Sequence, residues 1–230
     1  MPYQTIIKER NISRLCHFTK TRNLPFMLGN GEDSENGILA NDFIIDKSFL
    51  EKTDKQRLDG HEDYICTSVQ YPNSYYFTRV KSRMEKDLFN EWAILLIDPS
   101  VIDNTSKFCS VNAATSRGRL IKKGPAAMEE LFEFEIRTTK RTLRRSLLSP
   151  PNMPTDIQAE VLIHKKIDKS HVIGVIFPSR QMAERETLRL DLCGVNLDNY
   201  NVSYSEDIFS QKLKKNLDVG IRPCEIKYEG

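Results

Sequence analysis

The run Trp92-Ala93-Ile94-Leu95-Leu96-Ile97, closed by Asp98-Pro99, constrains this chain more than any other stretch. It has no polar face, so it needs apolar cover all round. Its brevity and its Asp-Pro stop predict a strand covered on both faces. Such a strand needs other strands beside it. Further runs can supply the neighbours: Tyr64 to Val69 (YICTSV), Ala159 to His164 (AEVLIH), and His171 to Phe177 (HVIGVIF), which Pro178 ends. Arg14 to Thr19 reads as a strand leading into a short helix over Asn23 to Leu28. Longer helices are expected near Pro125 to Glu135 and near Ser179 to Leu190, where Ser179 can cap the N-terminus. The stretch Ser149-Pro150-Pro151-Asn152-Met153-Pro154 is a stiff loop directly before AEVLIH. Without a repeat or a regular strand-helix alternation, the fold class is α+β rather than doubly wound.

Composition narrows the function. Of 230 residues, 39% are hydrophobic, enough for a packed core. A net charge of +2 excludes a histone-like binder, so any nucleic-acid surface must be a local basic patch. No apolar run is long enough for a membrane span, and the first ten residues carry charges where a secretory signal needs an apolar stretch. The five cysteines form no CxxC pair, which argues against zinc knuckles and redox motifs and suits a reducing cytoplasm. Walker, Rossmann, zincin and nucleophile-elbow motifs are missing, and His17, His61, His164 and His171 have no metal-ligand spacing, so no metal is expected.

What remains is a polar set on otherwise apolar strands. His17 and Thr19 share one strand face around Phe18. A single backbone hydrogen bond satisfies a strand histidine, so a structural role accounts for His17 as well as a functional one. Glu160 opens an apolar strand just after the Pro-rich loop. A buried carboxylate there is costly unless paired or functional, while an exposed strand-edge Glu would be unremarkable in chemistry.

Five stretches, in order, resemble the DarT family of toxins that ADP-ribosylate bases in single-stranded DNA. They are CHFTKTRNL with Gly37-Ile38-Leu39, then RLDGHEDYICTSVQYPNSYYF from Arg57, WAILLIDPSVI from Trp92, FCSVNAA from Phe108, and PTDIQAEVLI from Pro154. The resemblance runs from about Ile12 to about Phe177. It implies a single ADP-ribosyltransferase domain over residues 1–230, with two small packed sheets and flanking helices clasping NAD. Residues 181–230 are then a C-terminal extension of unassigned role.

The same resemblance distributes roles. Glu160 is the catalytic carboxylate, and Arg57 grips NAD phosphates or polarises the target base. His17, Phe18, Thr19, Asn23, Gly37, Ile38 and Ser68 hold NAD, and Tyr71, Tyr75 or Tyr76 stacks on nicotinamide. Ordinary half-buried aromatics would account for most of these tyrosines equally well. The segment after Ile136 lacks acidic residues up to Thr155 and carries Arg137, Lys140, Arg141, Arg144 and Arg145. A basic helix or arm there would collect target phosphates, although charge runs are usually solvated faces. The Asn112 amide could read a flipped base or simply shape a turn. Gly29 to Asn36 (GNGEDSEN) is longer than the family's usual span.

The expected activity is transfer of ADP-ribose from NAD to a single-stranded DNA base by a toxin of a toxin–antitoxin or phage-defence system. The likeness of FCSVNAA and YPN to the family's guanine-modifying branch implies guanine rather than thymine. Single-stranded RNA is the alternative target. From another class, a non-catalytic nucleic-acid or protein-binding module on a degenerate transferase fold is the competitor, and retention of Arg57 and Glu160 speaks against it. Modification of protein arginines is disfavoured because Gln158 stands where an E-x-E pair would place its first Glu. With no macrodomain in the chain, an antitoxin would be a separate protein, a macrodomain protein being the candidate.

Overall fold

The computed structural model describes residues 2–29, 36–44, 57–83, 90–139 and 141–230. In chain order its strands are β1 (Leu15–Lys20), β2 (Ile38–Leu39), β3 (Tyr64–Val69), β4 (Trp92–Ile97), β5 (Lys107–Cys109), β6 (Lys122–Lys123), β7 (Glu135–Arg137), β8 (Thr142–Arg144), β9 (Glu160–His164), β10 (Lys166–Ile167), β11 (Val172–Phe177), β12 (Asn201–Tyr204) and β13 (Ile226–Lys227). The helices are α1 (Pro2–Arg10), α2 (Leu24–Leu28), α3 (Ser74–Arg83), α4 (Pro125–Glu129), α5 (Arg180–Leu192) and α6 (Leu213–Asp218).

The apolar run at Trp92 is β4, buried at every position and flanked by β1 and β11. Among the described residues nine strands form one sheet in the order β13-β12-β11-β4-β1-β3-β9-β5-β6. One face packs Leu15, Val69, Leu95, Val161 and Val175 against Ile6 of α1, Met128 of α4 and Leu190 of α5. The other packs Cys16, Ile94, Leu96 and Ile176 against Ile208 and against Leu213 and Leu217 of α6. This is the expected α+β class.

The sheet is a clasp made of two halves. β1 pairs with β4 along its whole length, Leu15↔Ile97 to Lys20↔Trp92. With β3 it pairs only at Leu15↔Val69 and Cys16↔Ser68. Beyond that corner β3 pairs instead with β9, from Thr67↔Val161 to Tyr64↔His164. The two small packed sheets expected are therefore halves of one sheet, continuous through one short ladder. The His17 side chain explains where the ladder stops. Its Nδ1 lies 3.0 Å from the Cys66 carbonyl, a position a backbone partner would otherwise fill.

Other expectations shift locally. The helix expected over Pro125 to Glu135 ends at Glu129, a 3-10 turn follows over Glu130–Phe132, and Glu135 already begins β7. α5 starts as expected, with Ser179 Oγ accepting from the Met182 amide at 3.2 Å. The basic run is a β7–β8 hairpin with Glu135 opposite Arg144, not a helix. Residues 181–230 contribute β12 and β13 to the sheet and α6 to its second face. Gly37 has φ of 98°, and a Cβ there would stand 2.3 Å from the Ile167 carbonyl oxygen, so the β2–β10 contact demands glycine.

Candidate active site

Where β1 and β3 diverge, a cleft of about 540 Å³ opens, lined by both strands, the start of α3, and Glu160 of β9. A larger depression of about 930 Å³ runs along α5 past Glu184, Leu188, Asp191 and Tyr228. Its polar side chains lie along the outer side of α5, whereas the smaller cleft holds a buried carboxyl with fixed donors, so chemistry points to the latter.

Glu160 lies at the first position of β9, opposite Cys109 of β5, and is 8% exposed. Its Oε1 accepts from Asn112 Nδ2 at 2.7 Å and from the Ala113 amide at 3.2 Å. Burial pushes its pKa up to about 7, against the opposing pull of the Cys66 thiol and the Ala113 amide. A carboxyl poised near neutrality at the base of a cleft can act in either protonation state. Burial also holds the Cys66 thiol well above its ordinary pKa, so it remains a thiol.

Arg57 is locked in the cleft wall. Nε and Nη2 donate to the Asp59 carboxylate at 3.0 and 2.7 Å, and Nη1 donates to the Tyr64 carbonyl at 2.7 Å. Burial works against charge on Asp59, but the guanidinium outweighs it and keeps the carboxyl below its ordinary range. His17 is pushed below its ordinary pKa by burial. The Cys66 carbonyl can only accept, so Nδ1 carries the hydrogen and Nε2 is the acceptor.

Of the residues singled out by sequence, His17, Phe18, Arg57, Ser68, Tyr75, Tyr76, Asn112 and Glu160 line this one cleft. Phe18 is also held from behind, its ring stacked on Phe77 at 4.8 Å. Five others stand behind the wall. Thr19 is fully buried and receives a bond from Asn23 Nδ2 at 3.3 Å, so the pair braces the turn into α2. Gly37 and Ile38 carry the chain into Leu39, Ala40 and Asn41, which do reach the cleft, while Ile38 itself is core. Tyr71 is buried, and its hydroxyl accepts from Arg222 Nη1 at 2.9 Å, which takes it off the stacking role.

The residues expected on the target side have partners of their own. Asn112 is bound to Glu160, and its Oδ1 accepts from the Ala114 amide at 3.2 Å, so it holds the carboxylate. Arg145 donates to the carbonyls of Pro150 and Met153 and so pins the Pro-rich loop. Arg137 and Arg144 are exposed and both pair with Glu135, which lies one residue before the acid-free stretch. Arg141 pairs with Asp156 at 3.2 Å. Lys140 lies outside the described residues.

Sequence reading missed Asp59, Asn73 and Arg79. Asp59 stands two residues after Arg57, a spacing that could have flagged the pair. Asn73 Oδ1 accepts from the Tyr76 amide at 3.0 Å and fixes the first turn of α3 in the wall. Arg79 is exposed at the cleft. Among the described residues no cluster could hold a metal ion, and no helix is long and apolar enough to cross a membrane.

The family model described as "DarT: ssDNA thymidine ADP-ribosyltransferase, DarT" matches residues 16–209. The chain belongs to the DarT family of NAD-dependent nucleic-acid ADP-ribosyltransferases. Solved DarT structures share its fold. The structure described as Thermus sp. 2.9 DarT in complex with NAD+ is 15% identical with a TM-score of 0.58, over 86% of this chain and 98% of that one. Thermus sp. 2.9 DarT in complex with ADP-ribosylated ssDNA gives 13% and 0.57, over 87% and 97%. Thermosipho africanus DarTG in complex with ADP-ribose gives 14% and 0.51, over 86% of this chain but about half (51%) of that one. No curated protein matches the chain.

The DarT cleft of this chain suits NAD as ADP-ribose donor. It combines aromatic faces at Tyr75 and Tyr76, neutral polar groups at His17, Ser68 and Asn73, cationic groups at Arg57 and Arg79, and one buried carboxyl. That mixture matches a ligand with two ring systems, two riboses and a pyrophosphate.

Proposed function

We propose that this chain transfers ADP-ribose from NAD to a base of single-stranded DNA, with Glu160 as the catalytic carboxylate. The observation that carries the reading is Glu160 itself. It is a buried carboxyl at the base of the cleft, fixed through Oε1 by two donors. NAD supplies ADP-ribose with nicotinamide as the leaving group, and positive charge gathers on the ribose as that bond breaks. Ionised Glu160 stabilises that charge from a fixed position, which costs no reorganisation. The same carboxylate can take the proton from an attacking base nitrogen. Asn112 is a positioning residue, since its amide sets the orientation of the carboxylate. Arg57, held on one side by Asp59, presents permanent positive charge to the cleft. His17, Phe18 and Ser68 hold the nicotinamide end, and Tyr75 or Tyr76 stacks on the ring.

The base is guanine in this proposal, supported by the resemblance of Phe108 to Ala114 to the guanine-modifying branch. Thymidine, named in the description of the matched family model, is the competing reading. The chain acts as a toxin, with an antitoxin that reverses or blocks it. Mass spectrometry of oligonucleotides incubated with protein and NAD tests the reading. One ADP-ribose on guanine-containing single-stranded DNA is expected, and duplex should react poorly because pairing hides the nitrogen. An adduct confined to thymidine replaces the base, an adduct on RNA alone replaces the target, and no adduct on any strand overturns the function.

A further inference from the structure

The family model ends at residue 209, yet the chain beyond it returns to the corner where the two half-sheets join. α6 lies on the second face of the sheet and β13 forms its edge. Asp218, at the end of α6, accepts from Ser146 Oγ through its carbonyl at 2.6 Å and from Ser149 Oγ through its carboxylate at 3.0 Å. These serines flank the loop before the Pro-rich stretch. Farther on, the Cys224 amide donates to Asp207 at 2.9 Å, and β13 pairs with β12. Both ends of this C-terminal segment are thus tied down.

Between those ties it grips the corner. Glu225 receives a two-pronged bond from Arg14, at 2.6 Å from Nη1 and 2.5 Å from Nη2. Arg14 immediately precedes Leu15, the first residue of the short β1–β3 ladder, and its Nε donates to the Gln70 carbonyl at 2.9 Å. Gln70 has φ of 61°, a left-handed conformation that costs a non-glycine residue energy. Ser13 and Gln70 also bond each other through their side chains. The next residue is Tyr71, whose hydroxyl accepts from Arg222. Two residues later the chain enters the cleft as Asn73, followed by Tyr75 and Tyr76.

We infer that residues 213–227 form a strap that sets the β3–α3 turn, and that Arg222 and Glu225 are positioning residues for NAD. Neither lines the cleft. Each acts through the strained turn, whose displacement would move Asn73 and the aromatic wall. The inference rests on the functional reading above, because it takes NAD as the ligand of that wall.

The test is NAD titration by calorimetry, alongside transfer kinetics, on wild type, Arg222→Met, Arg222→Lys and Glu225→Gln in the full chain. Arg222 is exposed, so its variants should melt close to wild type, whereas Glu225→Gln weakens the pairing of the largely buried Arg14 and should melt somewhat lower while still folding. The Kd and KM for NAD should rise about 2- to 10-fold in Arg222→Met and Glu225→Gln, the range expected for losing one such hydrogen bond. The kcat should stay within about twofold, and Arg222→Lys should recover part of the loss by keeping a cationic donor. Unchanged NAD affinity in both variants, or an effect confined to the KM for oligonucleotide, overturns the strap while leaving the function standing. A wild type that does not bind NAD overturns both.

Discussion

Glu160→Gln should make the protein more stable at alkaline pH while nearly abolishing its activity. Burial raises the Glu160 pKa from an ordinary value of 4.5 to about 7. Between those values the folded protein keeps a proton that the unfolded chain has released. The stability contributed by protonated Glu160 is therefore complete below about pH 4.5 and is lost as pH rises through about 7. At about 1.4 kcal/mol per pH unit the loss approaches about 3 kcal/mol. Gln carries no charge at any pH, retains an oxygen for Asn112 and Ala113, and escapes this loss. For a chain of this size the gain at pH 8 corresponds to a melting temperature higher by up to roughly 10 °C. Thermal melts of both proteins at pH 5, 6.5 and 8 measure it: the curves should lie close at pH 5 and separate at pH 8. Transfer by the variant should fall on the order of 100- to 1000-fold, and wild-type transfer should rise with pH through about 7 as the carboxylate ionises. Melting temperatures that track each other across this range would refute the assignment of a buried, proton-holding Glu160.

Asp59→Ala leaves the Arg57 guanidinium buried beside a cavity, and the loss of one partner of such a pair should cost about 3 to 5 kcal/mol, read as a lower urea midpoint. Within the basic hairpin the two adjacent arginines should behave differently. Arg144→Ala removes an exposed cation and should make the slope of log K against log salt for single-stranded DNA shallower by about 0.7, with melting unchanged. Arg145→Ala removes the donor that pins Pro150 and Met153 and should cost about 1 to 3 kcal/mol of stability, with little change in that slope.

The central strands were legible because burial on both faces leaves a mark in the local pattern. β3, β4, β9 and β11 all coincide with apolar runs in the sequence. Glu160 was legible for the converse reason, as a carboxylate interrupting such a run. Three things were not. The β7–β8 hairpin depends on Glu135 meeting Arg144 across the strands, a pairing that a scan for like charges from Ile136 onward cannot see. Tyr71, Tyr75 and Tyr76 looked equivalent, but α3 begins at Ser74, which sends the last two to the cleft and leaves the first in the core. β12 is a polar strand whose place is set by its parallel partner β11 and not by its own periodicity. α1 is a different failure, since Tyr3, Ile6 and Ile7 already recur at helical spacing.

The short β1–β3 ladder has a consequence for how this protein guards against itself. A strand that loses its neighbour presents a backbone edge, and such edges recruit other strands unless they are blocked. Past Cys16 and Ser68 this sheet holds two edges facing each other in its interior rather than at its rim. His17 stoppers one carbonyl of that gap, and β4 and β9 cover the outer edges of the two strands. The opening that admits the donor molecule is thus also a weak seam in the sheet, and filling it closes the seam.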